Sequence, residues 1–112
     1  MEEEGAVLCL ITAGSSEEGE RIAEALVRAR LAACVNLARG VDSFYWWEGK
    51  FCREGEVLLI VKSLRALLPE LVKKVKELHS YSVPEVIAFP IVGGSEDYLK
   101  WVRESCGERG EA

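Results

Sequence analysis

Residues 6–18 read Ala-Val-Leu-Cys-Leu-Ile-Thr-Ala-Gly-Ser-Ser-Glu-Glu. The first eight carry no charge, the mark of a strand buried on both faces rather than one that alternates. Gly14 ends the run. Ser15 suits a helix N-cap, and Glu18 three residues later completes a capping-box spacing. Glu17, Glu18 and Glu20 fall where a helix dipole favours negative charge. Ile22, Leu26 and Ala29 continue an apolar stripe, which predicts a helix as far as Leu31.

Residues 33–47 predict a long strand interrupted near Gly40, with Val35, Leu37, Val41, Tyr45 and Trp47 on one parity. Glu48-Gly49 is the tightest turn signal and predicts a hairpin into a strand over 51–62. Leucines and valines at helical spacing predict a second helix over 65–79, with Pro69 in its first turn. A fourth strand covers 83–92, where Pro84 and Pro90 point to an edge or a bulge. Ser95 caps a last helix over 96–106, and Gly107 stops it. The order is βαββαβ plus a C-terminal helix. That predicts an α+β, ferredoxin-like domain, its two crossover helices on one face of an antiparallel sheet. One domain spans 1–112, with a core over about 6–106 and ends, 1–5 and 107–112, that fray.

A chain of 112 residues and 12.4 kDa is long enough to bury a core without staples. Its net charge of −5 argues against nucleic acid and anionic membrane as partners. The acidic Met1-Glu2-Glu3-Glu4 start is unlike a secretory leader, so a cytoplasmic location is expected. Cys9, Cys34, Cys52 and Cys106 form no C-x-x-C pair and are expected as reduced thiols, Cys9 and Cys34 buried. Strands apolar on both sides exceed what two helices and one short terminal helix can cover. A homo-oligomer is the expected cover.

Few residues carry obvious chemistry. His79 is the only histidine, with no cysteine at zinc-ligand spacing. A single-chain structural zinc site is therefore not expected, and only a symmetric site remains open. The alternative for His79 is a cation at the C-terminal end of the second helix. Gly14-Ser15-Ser16 opens a helix but lacks a phosphate-loop pattern, and its glutamates repel anions. Alternation sends Phe44 and Trp46 to one face and Tyr45 and Trp47 to the other, read as core and subunit packing. Glu56, Lys62 and Glu85 flank apolar strand segments, where charges pair or line a cleft.

Five segments then stand together: Leu31-Ala32-Ala33-Cys34-Val35-Asn36, Tyr45-Trp46-Trp47-Glu48-Gly49-Lys50, the segment 56–62, Leu78-His79-Ser80-Tyr81-Ser82-Val83-Pro84-Glu85, and Asp97-Tyr98-Leu99-Lys100-Trp101. In this order they resemble the CutA family of divalent-cation tolerance proteins. The resemblance implies a non-enzymatic homotrimer joined through sheet edges, with a role in tolerance of copper and other divalent metals. It implies no obligatory cofactor, a copper or zinc ion being the candidate ligand. A metal site in some members uses a thiol before the Thr-Ala of the first strand and a His-His pair. Ile11 and Leu78 stand at two of those positions here, Ser80 replaces the proline before Tyr81, and His79 alone is retained as candidate ligand. The likeness of the family to trimeric PII-type signalling proteins implies the alternative of a small-ligand cleft between subunits. Its candidate lining is Cys34, Trp47, Lys62, Tyr81 and Glu85.

Overall fold

The computed structural model describes residues 5–107. Apart from Gly5 and Gly107, the ends expected to fray lie outside the described residues. Strand β1 (Ala6–Ala13) leads to helix α1 (Ser16–Arg28). Strands β2 (Cys34–Trp47) and β3 (Lys50–Leu64) form a hairpin. A 3-10 turn (Arg65–Leu67) opens helix α2 (Leu68–Leu78), strand β4 (Val86–Pro90) follows, and helix α3 (Glu96–Ser105) closes the order. The sheet runs β2-β3-β1-β4 with every neighbouring pair antiparallel. This is the expected ferredoxin-like α+β arrangement, with Pro90 at the end of an edge strand.

The odd-numbered residues of β1 build the core. Val7, Cys9 and Ile11 pack with Leu59 and Val61 of β3 against Ile22 and Leu26 of α1 and Leu71 and Val75 of α2. Burial pushes the Cys9 thiol pKa up to about 11, so it behaves as a small apolar group. A second cluster joins Val102 of the last helix and Cys106 just after it to Ala6, Leu64 and Ile91. Thus α3 covers one end of the other sheet face. Along the rest of that face Leu8 pairs with Phe89 and Leu10 with Ile87. Phe89 and Ile87 are exposed there, and Leu58 and Ile60 are half-buried.

The element ends show local physics at work. Ser15 Oγ accepts the Glu18 N–H at 3.1 Å, as a cap should. The helix stops at Arg28, short of the expected Leu31. Arg30 adopts the left-handed region at φ 63°. The N–H groups of Arg30 and Leu31 turn back to the carbonyls of Val27 and Leu26. That is a Schellman stop built on arginine instead of glycine. Glu48 and Gly49 both hold positive φ and make the two-residue turn expected between β2 and β3. Pro69 falls in the first turn of α2, which starts at Leu68 behind the 3-10 turn and not at 65. The last strand is shorter than 83–92: its ladder with β1 runs only from the Val7–Pro90 pair to the Ile11–Val86 pair, and Pro84 just before it has no N–H to extend the ladder.

Gly40 sits in a bulge between the Ala38–Leu58 and Val41–Glu56 pairs, leaving Arg39 and Gly40 opposite Val57. The bulge flips the parity of β2. Val35 and Leu37 face the helices opposite Val61 and Leu59, whereas Val41, Tyr45 and Trp47 face the other way, against the single parity expected. Beyond the bulge, 41–47 and 50–56 run past the end of β1 as a two-stranded arm.

Gly40 holds φ at +78°, with open space around the position of a Cβ. Gly40→Ala is expected to cost about 1 kcal/mol from the left-handed backbone alone. A lowered midpoint in chemical denaturation at fixed protein concentration checks it. An unchanged midpoint removes the positive-φ bulge as the device that turns the strand.

Candidate functional site

Where the arm leaves the sheet, the flipped face of β2 meets the chain between α2 and β4. Together they enclose an open cavity of about 570 Å³ lined by Thr12, Ser43, Phe44, Tyr45, Trp47, Glu56, Tyr81, Ser82, Val83 and Glu85. Glu56 is its buried polar centre, 8% exposed. The Ser43 hydroxyl donates to Glu56 Oε1 at 2.6 Å and the Tyr81 hydroxyl donates to Oε2 at 2.7 Å. Each carboxylate oxygen therefore keeps one lone-pair direction unused by these bonds. Burial, then the hydrogen bond and negative charge of Glu56, push the Tyr81 hydroxyl pKa far above the usual phenol range, so it remains a donor. The Tyr45 hydroxyl is also raised, by desolvation first and then by Glu54, Cys52 and Glu56.

The two residues before it aim Tyr81. His79 caps α2, donating its own N–H to the Val75 carbonyl. Its ring lies buried over β1, where Nε2–H donates to the Thr12 carbonyl at 2.7 Å and Nδ1 accepts the Tyr81 N–H at 3.1 Å. Ser80 donates its N–H to Glu18 Oε2 at 2.6 Å and its hydroxyl to Oε1 at 3.2 Å. Glu18 thus leaves the capping-box role its spacing suggests and tethers a loop instead. Burial works to raise the Glu18 pKa, but the two Ser80 bonds, His79 and the Gly14 N–H outweigh it and hold the carboxyl below its ordinary range. The rings of His79 and Tyr81 lie 4.6 Å apart, and the Tyr81 hydroxyl passes close to Gly14.

Of the residues expected to line one cleft, Trp47, Tyr81 and Glu85 do meet in this cavity. Cys34 and Lys62 do not line it. They pair across β2 and β3. Six residue steps along the strand separate Lys62 from Glu56, a span of about 20 Å. There Lys62 and the Cys34 thiol both bond the Asn36 side-chain carbonyl. Burial and the adjacent Cys34 thiol raise the Tyr98 hydroxyl pKa at the same place. Cys34, expected buried, is half-buried. His79, the expected metal ligand, has both ring nitrogens engaged by the backbone. Among the described residues no three His, Cys, Asp or Glu side chains gather as a metal site.

Sequence reasoning placed Glu18 on the helix dipole and Glu56 on a strand flank, and gave Thr12 and Ser43 no role. Their signal is weak because the partners that define the site are distant in the chain: Glu18 and Ser80 are 62 residues apart. For Glu56 the one clue is a charge at the edge of the uncharged run 57–61 of β3.

Comparison with known proteins matches residues 7–105 to the family described as CutA1 divalent ion tolerance protein. A divalent-cation tolerance protein CutA from Thermus thermophilus is 48% identical over 98 residues, covering 88% of this chain and 95% of that protein. A chloroplastic protein CutA 1 from Oryza sativa subsp. japonica is 45% identical over 102 residues, covering 91% of this chain but 58% of that protein. The chain therefore spans little more than half of that plant relative. Among solved structures, a Cut A1 divalent cation tolerance protein of Thermus thermophilus superposes with a TM-score of 0.89 at 46% identity, over 91% of this chain and 99% of that one. The CutA1 of Oryza sativa gives 0.91 at 42% identity, over 96% and 99%. The chain belongs to the CutA1 family.

The Glu18 tether sets a pH dependence. A carboxyl held low in the fold stabilises it above the ordinary carboxylate range, and that contribution is lost as pH falls through the depressed folded value. Glu18→Gln should cost about 1–3 kcal/mol at pH 7, as expected when a buried carboxylate gives up charged hydrogen bonds. The gap between the two proteins should close as pH falls below about 4. Denaturation midpoints from pH 7 to pH 3 check both points, and a constant gap would remove the ionised tether.

Proposed function

We propose that this chain acts in the response to divalent metal ions, copper among them, as a homotrimer that catalyses no reaction. Family membership supports the metal response. The observation that carries the assembly is the uncovered apolar surface on the second sheet face and on the arm. Ile87 and Phe89 are 49% and 45% exposed, and Trp46 and Phe51 at the arm tip are 73% and 63% exposed. Exposed large apolar side chains grouped on β4 and at the arm tip suit protein interfaces. Both sheet edges, β2 and β4, carry free backbone groups that another copy can use.

Metal binding in this reading is weak. Holding an ion on His79 requires taking Nδ1 from the Tyr81 N–H; Glu18 Oε2 lies 3.5 Å from that nitrogen but is held by the Ser80 N–H, and no three ligand side chains gather among the described residues. The formal charge of −5 per subunit, repeated threefold, draws cations diffusely instead. The second reading, a PII-like trimer with small-ligand clefts at subunit boundaries, is favoured by the Glu56 cavity. The half-buried pair Cys34 and Lys62 lies on the same sheet face as that cavity. Free cysteines suit a reducing, cytoplasmic setting. Among the described residues no helix is long and apolar enough to cross a membrane.

Light scattering should return about three times the 12.4 kDa protomer mass, and a protomer-sized species removes the assembly. In calorimetric titration with Cu(II) and Zn(II), His79→Ala should leave affinity unchanged. Its ring holds the Thr12 carbonyl and the Tyr81 N–H. Leaving both without a buried partner should lower the stability of the same variant by about 2 kcal/mol. Affinity that falls with the imidazole makes His79 a ligand after all.

A further inference from the structure

The Glu56 cavity selects for a particular chemistry. Two carboxylates, Glu56 and Glu85, belong to its lining, and no lysine or arginine does. Arg53 and Lys50 sit across from the lining residues Phe44 and Trp47, but neither belongs to the lining, and the Arg53 guanidinium lies 5.1 Å from the centre of the Phe44 ring. Tyr45, Trp47 and Tyr81 supply aromatic walls, whose faces carry partial negative charge. The two carboxylates and the ring faces disfavour an anion here.

A bare metal ion fits poorly as well. Hard divalent cations want six or more oxygens at short range. Glu56 already accepts from Ser43 and Tyr81, and Glu85 stands exposed at the rim. The cavity volume of about 570 Å³ is that of a small organic molecule, not of an ion with its ligands. A cation that brings its own apolar shell matches both the walls and the charge. Aromatic faces bind such cations when water is excluded, and a buried carboxylate adds direct charge pairing.

We propose that this cavity binds a small organic ammonium ion, with Trp47 and Tyr45 against its alkyl groups and Glu56 facing its charge. The proposal rests on the reading of the cavity as a ligand site and names its ligand class. Glu56 is held in place for this by Ser43 and Tyr81, so the carboxylate is pre-organised before the ligand arrives. Glu85 adds a second, solvent-screened attraction at the mouth.

Calorimetric titration of the intact native assembly tests it, with tetramethylammonium and n-butylammonium as probes. Their neutral counterparts tert-butanol and n-butanol are the controls, and inorganic phosphate and ATP the anionic arm. Saturable binding of one or both ammonium ions is expected, with each alcohol at least about tenfold weaker. Comparing the two ammonium ions shows whether the head group is quaternary or primary. Trp47→Leu and Glu56→Gln should each weaken binding about tenfold, and Glu85→Gln about twofold. Glu85→Gln touches only an exposed side chain, so it reports even if Glu56→Gln fails to fold. Alcohols binding as well as ammonium ions would overturn the charge selection while leaving a ligand site. Phosphate or ATP binding in place of ammonium ions would do the same. Silence from every probe would overturn both the ligand class and the cavity as a ligand site.

Discussion

The bulge at Arg39 and Gly40 places two residues of β2 opposite Val57, and most of what is distinctive here depends on that extra residue. Without it, alternation would carry Tyr45 and Trp47 to the face of Val35 and Leu37, the helix side. With it, the strand contributes to two different surfaces. Its first half closes the core under α1. Its second half turns Tyr45 and Trp47 to the face of Glu56 and Thr12. A bulge also increases local twist, which suits an arm that must leave the sheet. Gly40 supplies the backbone for this with no side chain in the way.

The other wall of the cavity is made by a loop with little apolar anchorage of its own. Ser82 and Val83 are exposed, and Tyr81 is half-buried. What holds it is a relay of polar bonds. Thr12 at the end of β1 fixes His79, His79 fixes the Tyr81 backbone, Glu18 at the start of α1 fixes Ser80, and Tyr81 reaches Glu56. No buried side-chain nitrogen or oxygen among the described residues lacks a partner, so the relay is complete. A complete polar network specifies one geometry, whereas a partial one would favour several. Three separate elements thereby agree on where the Tyr81 hydroxyl sits.

Much of the fold was legible because its determinants are local. Uncharged 6–13, the Ser15 cap, the Glu48-Gly49 turn, Pro69 in a first turn and the Ser95 cap each act within a few residues, and the structure repeats them. The errors arise where a local rule has an uncommon solution or a remote competitor. Arg30 ends α1 in a conformation usually left to glycine, so the expected helix runs three residues past its end at Arg28. Glu18 has two roles open to its carboxylate, and the paired N–H and hydroxyl of Ser80 win over the cap. For the site, Trp47, Tyr81 and Glu85 were identifiable by type. Their separation from Cys34 and Lys62 was not, because it follows from register along β3.

The arm links the cavity to the proposed assembly. An isolated two-stranded ribbon is marginally stable in water, and this one lacks β1 beneath it. Its own contacts are modest: Phe51 meets Phe44 and Trp46 at 6.4 Å and 6.1 Å between rings, and Arg53 lies over Phe44. Those rings are largely exposed on the face opposite Tyr45 and Trp47. A neighbouring copy that covers them would stiffen both strands at once. Tyr45, Trp47 and Ser43 ride on those strands, so the geometry around Glu56 would tighten with them. The subunit contact and the cavity then share one element, with opposite faces serving each. Any ligand that fills the cavity would, by the same coupling, favour the assembled state over the separate protomer.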